Sequence, residues 1–403
     1  MNTRLNITDI KNAGFEHVRL GQVDAALFGY YVAFTLYSIC SFIELTTFYE
    51  VFGIDRQEVI KFCQIIILFL LLFKFVSQRA SFSGWFLALA VVLIGYKSWR
   101  SSGENWFFWL CLFVACSDKV RIRTLAAISL SVVSMLFVLT VTCCELGLIE
   151  NRLFVRSGVM RFAYGFKHPN YLGFYLMAIC IFVSTLRLGA NPLPDIVLIL
   201  VTFLINIFVV GSRSSAIMSL AQIPLLLVFD YCKAQRSRNI ARFSLLLMVL
   251  VAIAGSLAVM VVYSPSIPAL RQLNTLLSNR FSLAHSYYSM QPLTLFGSDF
   301  SGHAPIYWEL GKPTNFIVDN AFCHILLRYG IIPSIIFFGG VLALMVVLVR
   351  KQTWNSLIFG LSLMLLFGIG ETLGARVDCN IFLVAFGPAL LFSDKSVFES
   401  DAC

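Results

Sequence analysis

Three arginines stand where apolar sequence breaks off: Arg161, Arg213 and Arg280. A guanidinium is a planar fork that grips phosphate through two parallel hydrogen bonds. Beside hydrocarbon such a charge is costly unless an anion meets it. The chemistry these residues suit is binding of a phosphate or diphosphate, and stabilisation of the charge on a departing one.

Arg161 belongs to a basic stretch with Arg152, Arg156, Lys167 and His168, which runs into Pro169-Asn170. Pro169 suits the first position of a helix, with His168 just before it, and helix N-termini attract anions. A phosphate ligand or anionic lipid headgroups would each account for this loop. His168 has three open uses: a cap, a core hydrogen bond, or a direct part in proton transfer. Arg213 lies in Gly211-Ser212-Arg213-Ser214-Ser215, which divides two apolar runs with almost no loop. Small residues there allow a ligand or a helix to come close; the alternative is an arginine snorkelling to lipid phosphates.

Between Pro268 and Tyr288, Leu270, Leu273, Leu276, Leu277, Phe281 and Ala284 recur every three or four positions, which predicts an amphipathic helix. Arg280 falls on its apolar face, and Arg271 opposite, beside Asn274, Thr275 and Ser278. An inward arginine needs a partner, either substrate phosphate or a carboxylate such as Asp319 or Glu371. Asp319-Asn320 opens a further apolar segment. Asp319 there suits a helix cap or a general base that takes the proton of a sugar hydroxyl. His303, Glu309 and His324 are weaker candidates. Glu371 and Arg376 sit at the last turn on the same side, to pair with each other or to support the site.

The elements that must position these groups are membrane helices. Of 403 residues 59% are hydrophobic and 13% charged, with mean hydropathy +0.85. Soluble domains carry about 25% charged residues, so this chain has too few to cover a water-facing surface. The net charge of +9 is scattered through short loops, and no run alternates basic and aromatic residues. That favours orientation and anionic lipid as its cause and excludes a nucleic-acid groove. Eleven cysteines without a CxxC pair read as small core hydrophobes, with neither a disulfide framework nor a metal site. Residues 1–22 are polar and lack a signal-peptide core, so the apolar run from Ala25 is expected to stay as a span.

At roughly 20 residues per crossing, about twelve spans are predicted: 25–43, 59–76, 82–97, 105–117, 124–145, 171–187, 194–210, 214–231, 243–263, 330–349, 354–371 and 379–393. With the N-terminus in the cytoplasm, 16 of the 30 Lys and Arg fall inside. Six of the other 14 are Arg152, Arg156, Arg161, Lys167, Arg213 and Arg280, and without them the split is 16 to 8. The inner cluster from Lys233 to Arg242 fixes the same orientation, with both termini cytoplasmic. Two long connections, 146–170 and 264–329, both lie outside. Irregular mass on one face marks the working face. The chain reads as one all-α polytopic membrane domain over 1–403, without internal repeats.

The landmarks, in order, are Arg161-Phe162-Ala163-Tyr164-Gly165 running into His168-Pro169-Asn170; Gly211-Ser212-Arg213; Asn279-Arg280-Phe281 with Pro292 to Gly297 downstream; and Asp319-Asn320 before Tyr329-Gly330-Ile331-Ile332. Over roughly residues 120–345 this series resembles the bacterial O-antigen ligase and Wzy-type polysaccharide polymerase superfamily. The resemblance implies a GT-C-like glycosyltransferase with a large extracytoplasmic loop between spans nine and ten. It implies undecaprenyl-pyrophosphate-linked oligosaccharide substrates in a bacterial cytoplasmic membrane, no metal and no cofactor, and a separate chain-length regulator as partner. Arg161 and Arg280 would hold the pyrophosphate with Arg213 in support. Asp319 would be the base, aided by His168, with Asn170, Asn320 and Glu371 supporting. Ligases carry His-Asn where this chain has Asp319-Asn320, which favours a polymerase of capsule or exopolysaccharide repeats. The competing readings are a ligase, a flippase of lipid-linked oligosaccharide, and a non-catalytic assembly scaffold.

Overall fold

A computed structural model describes residues 24–51, 56–78, 80–156, 158–231, 235–300, 318–350 and 355–392. It is mostly helical. Among the described residues, eight helices are long and apolar enough to cross a membrane. They include α1 (Ala25–Glu44), α2 (Arg56–Ser77, apolar from Glu58), α3 (Phe82–Ser102) and α5 (Ile122–Glu145). The others are α6 (Pro169–Arg187), α7 (Leu193–Ile205, continued to Val210 by a π-helical turn), α9 (Gln235–Val262) and α13 (Ile331–Arg350). Between their polar ends, α2 and α3 expose mainly apolar side chains, as lipid-facing helices require: Phe62 is 65% exposed, Phe69 71% and Phe86 68%.

The other four predicted spans differ from that expectation. Helix α4 (Trp106–Ala115) has 10 residues, about 15 Å at 1.5 Å per residue, and almost all its side chains are buried. Helix α8 (Arg213–Tyr231) is long but carries Ser, Gln and an internal Pro224. Helix α14 (Asn355–Phe367) has 13 residues. The segment predicted at 379–393 holds a short irregular helix, Ile381–Leu391, made of a 3-10 piece, Ile381–Ala385, and a π turn, Gly387–Leu391. Pro388 removes a donor there, and the Asn380 amide is spent on the Gly374 carbonyl at 2.8 Å. This irregular backbone is tolerated at membrane depth because protein surrounds it: Ile381, Phe382, Leu383, Val384 and Ala385 are all fully buried.

Contacts between connections define two ends of the bundle. At one end Thr47 and Lys167 donate to the carbonyls of Gly165 and Leu45, Asn170 meets Glu371, and Gly370 lies against Ser214. At the other, Gln78 donates to Ala115, Gly84 lies against Leu391, Gly189 meets Asp230, and Arg242 meets Asn355. Arg161, Arg213 and Arg280 all belong to the first end.

That end also departs from an all-helical plan. The predicted outer basic loop contains a β-hairpin, β1 (Leu153–Arg156) with β2 (Val159–Phe162), in antiparallel register Phe154 to Arg161. Alternating strand faces put Arg161 inward, while Met160 and Phe162 on either side of it point out. The amphipathic stretch is likewise not one helix but two, α10 (Pro268–Leu276) and α11 (Arg280–Met290). They are broken at Ser278 and Asn279, both with left-handed φ. Asn274 makes this corner. Its side chain is buried, accepts from the amides of Phe281 and Ser282, and donates to Tyr263, Asn279 and Ser282. A small apolar cluster of Met260, Ala284, Tyr287, Phe300, Val318, Cys323 and Leu327 then seats α11 on the bundle.

Candidate functional site

The centre of the site is a chain of polar contacts drawn from four separate parts of the sequence. Arg161 Nε donates to the Val210 carbonyl at 2.9 Å and its Nη2 to Asn170 Oδ1 at 2.9 Å. Asn170 Nδ2 donates to Glu371 Oε1 at 2.8 Å. Arg280 Nη2 reaches the same oxygen at 2.9 Å, and its Nε reaches Asp319 Oδ2 at 3.3 Å. Arg161, Arg280 and Glu371 are buried, while the Asp319 side chain is 39% exposed. Two guanidinium groups and one open carboxylate therefore converge on a half-enclosed spot.

Each arginine is fixed by its backbone. Arg161 lies on the inner face of β2, pressed against Gly211, where a Cβ would stand 2.8 Å from Arg161 Nε. Gly211 also has φ +67°, a conformation costly for any side chain. The π turn before it closes on Gly211, whose amide donates to the Asn206 carbonyl. Gly211→Ala is expected to push Arg161 off Asn170 and weaken binding of inorganic pyrophosphate at least tenfold with protein levels little changed. Quantitative blotting beside a pyrophosphate-binding assay checks this, and parental affinity would refute it.

Among the described side chains of the basic stretch, Arg161 is the one that turns into this cluster. Arg152 pairs with Glu50 and Glu150, and the Lys167 ammonium sits 4.5 Å over the Tyr49 ring. His168 caps α6: its Nδ1 accepts from the Asn170 amide at 3.1 Å, with Pro169 at the first position of the helix. The capping use, one of three open from sequence, is the one the structure displays. It also fixes the start of the helix that carries Asn170.

Arg213 opens α8, exposed, without a hydrogen bond or ion pair among the described residues. It stands two residues from Gly211, at the rim rather than in the chain of contacts. Arg213→Ala is therefore expected to cost a few-fold in rate, far less than loss of Arg161. A rate ratio between the two variants near one would place Arg213 at the centre instead.

Asp319 is not the cap. Asn320 is: its Oδ1 accepts from the amides of Phe322 and Cys323 at 3.0 Å each, opening the short helix α12 (Ala321–His324). Its amide donates to Ser256 Oγ at 2.9 Å and to the Ile369 carbonyl. Asn320 thus ties α9, α12 and the 368–371 turn together and leaves Asp319 to face the opening. Glu371 and Arg376 do not pair with each other. Arg376 pairs with Asp378 at 3.0 Å. Burial pushes the Glu371 carboxyl up and Asp319 pushes it further, against the pull of Arg280 and Arg161.

Sequence reasoning missed two features. Gly297 and Gly330, both with positive φ, lie back to back: a Cβ on Gly330 would stand 2.3 Å from the Gly297 nitrogen. The Ile331 and Ile332 amides donate to the carbonyls of Thr294 and Leu295. The two downstream motif pieces are thus halves of one lock. The second is Glu104, which accepts from or pairs with His324 Nε2 at 2.8 Å and lies 3.5 Å from Arg328 Nε. Burial alone would raise its carboxyl; His324, Trp106 and Arg328 overcome that and hold it near 2. Spacing gives no hint of a pair so distant in sequence. His303 and Glu309 lie outside the described residues. Among the described residues, no group of three or more His, Cys, Asp or Glu is arranged to hold a metal ion, and the nine described cysteines are free.

Compared with protein-family models, curated proteins and solved structures, the chain matches none.

Proposed function

We propose that the chain is a polysaccharide polymerase that joins undecaprenyl-pyrophosphate-linked oligosaccharide repeats on the outer face of a bacterial cytoplasmic membrane. One observation carries the reading: Arg161 and Arg280, remote in sequence, converge through Asn170 and Glu371 at one end of an apolar bundle, beside the open carboxylate of Asp319. The alternation of connections between two ends supports twelve crossings of the GT-C kind, with the three short apolar helices embedded among longer ones. Positive-inside bias then puts the arginine end outside.

The donor is a growing glycan on the lipid diphosphate, and the acceptor is a repeat unit whose sugar hydroxyl attacks the donor anomeric carbon. Asp319 takes the hydroxyl proton as the new C–O bond forms. The old bond to the diphosphate breaks, and its electron pair leaves on the phosphate oxygen. Arg280 and Arg161 stabilise that charge. Glu371, paired with Arg280 at 2.9 Å, competes with an incoming diphosphate for it. Its raised proton affinity lets it take up a proton and release the guanidinium to the incoming diphosphate. Direct attack inverts the anomeric carbon.

A flippase would place its charges near the membrane midplane, with repeated halves; here they gather at one end. The test is purified protein in lipid with synthetic undecaprenyl-pyrophosphate repeats. Elongation is expected, with or without chelator, and is expected to disappear in Arg161→Ala. No elongation by the parent protein, or normal product length from the variant, would remove the proposal.

A further inference from the structure

A second cavity opens at the same end of the bundle, between α1, α2 and the start of α4, with a volume of about 180 Å³. That is room for about six waters at roughly 30 Å³ each. Its walls include the indoles of Trp106 and Trp109, the amides of Gln64 and Asn105, and the carboxylates of Glu44 and Glu104. The Gln64 and Asn105 side chains make no hydrogen bond among the described residues, although both lie half-buried in a helical protein. The Trp109 indole nitrogen is buried and likewise has no partner there. Flat apolar rings beside unspent amide donors and acceptors match a ligand with alternating C–H faces and hydroxyl edges.

The cavity is wired to the arginine site. Glu104 in its wall bonds His324 Nε2 at 2.8 Å, and His324 Nδ1 lies 3.3 Å from the carbonyl of Val318, the residue before Asp319. Arg376 in the same wall is five residues from Glu371 on one buried turn. Asp319 thus stands between two regions, one reached through Arg280 and Glu371, the other through Val318 and His324. The charges differ as well. The first presents arginines; in the second, Arg376 is engaged by Asp378, and Glu104 by His324 and Arg328.

We infer that this cavity is a sugar-binding subsite that holds the acceptor sugar, selecting a neutral or N-acetylated pyranose over an acidic one. The role as acceptor subsite rests on reading the arginine site as a glycosyl-transfer centre; sugar binding itself does not. Arg376, the cation in the wall, is already paired with Asp378 and offers little to a uronic acid, while the open amides hydrogen-bond hydroxyl or acetamido groups.

Full-length protein in lipid nanodiscs is titrated with methyl glycosides of glucose, galactose, mannose, N-acetylglucosamine and N-acetylgalactosamine, and with glucuronic acid and glycerol 1-phosphate. Tryptophan fluorescence is followed. At least one neutral or N-acetylated glycoside is expected to give a saturable change, and glucuronic acid none. Gln64→Ala with Asn105→Ala should weaken that binding at least tenfold, and Gln64→Ala alone should weaken it measurably. Trp109→Phe should remove most of the signal, while Arg161→Ala should leave affinity unchanged. Thermal unfolding of each variant verifies folding. The inference is overturned if no glycoside saturates, if both amide variants bind like the parent, or if glycerol 1-phosphate saturates in their place. Glycoside binding by a protein that fails to elongate lipid-linked repeats leaves the cavity's assignment as a sugar site standing and removes the polymerase reading alone.

Discussion

Arg280→Ala is expected to abolish polymer formation, with a rate loss of at least ~10²–10³-fold, the scale seen when one preorganised donor to a developing negative charge is removed. No other residue can take its place. Arg280 is held at the first position of α11 by the left-handed turn at Ser278 and Asn279, and Asn274 fixes that turn from within. From there one guanidinium spans both Asp319 and Glu371. Lysine offers a single ammonium on a flexible stem, so Arg280→Lys should restore little. Losing one partner of a buried ion pair ordinarily destabilises a protein severely. Here the orphaned carboxylate has an exit. The Glu371 carboxyl is already pushed up by burial and by Asp319, so it can stay protonated on the Asn170 amide. The variant should therefore accumulate in the membrane. Pairing it with Glu371→Gln removes the orphaned charge altogether: accumulation should match the parent while polymer stays absent. Polymer returning in that double variant would mean that Arg280 serves folding and not the diphosphate.

How much of this was legible in the sequence depended on the range of the interaction. Long spans are local events, governed by twenty apolar residues in a row, and α1, α5, α6 and α13 fall where hydropathy puts them. The short helices α4 and α14 are apolar all round because protein, not lipid, surrounds them. A helix buried on every side carries the same composition as one in lipid. Arg280 was placed inward by a periodicity that assumed an unbroken helix. The structure agrees on Arg280 but not on the premise: Leu276, assigned to the same face, is 77% exposed. The phase restarts after Asn279, and Phe281, Ala284 and Tyr287 share the buried side with Arg280. The hairpin was hidden by the basic residues around it, although Val159-Met160-Arg161-Phe162 after Gly158 has strand composition. Both candidate carboxylate partners for Arg280 could be named in advance. That it takes both at once, with Asn170 bridging Glu371 to Arg161, is a three-dimensional fact that no spacing encodes.

Asp319→Asn carries the second large effect, a loss of ~10²–10⁴-fold, the range for removing a general base. The substitution is close to isosteric. An asparagine oxygen can still accept from Arg280, so the cation stays in place, but the amide cannot take a proton from a sugar hydroxyl. Stability should hardly move. The helix cap is Asn320, not Asp319, and the Asp319 side chain is 39% exposed. The expected signature is thus a split: lipid-linked donor still binds in nanodiscs, while elongation fails. Asp319→Glu keeps the base but lengthens the reach by one methylene, and should recover part of the rate. Arg280→Ala should fail in both assays, because it removes the group proposed to hold the diphosphate. Elongation in Asp319→Asn at a rate near the parent's would assign the proton to another acceptor. Glu371 is then the next candidate, since it lies on the opposite side of the same guanidinium.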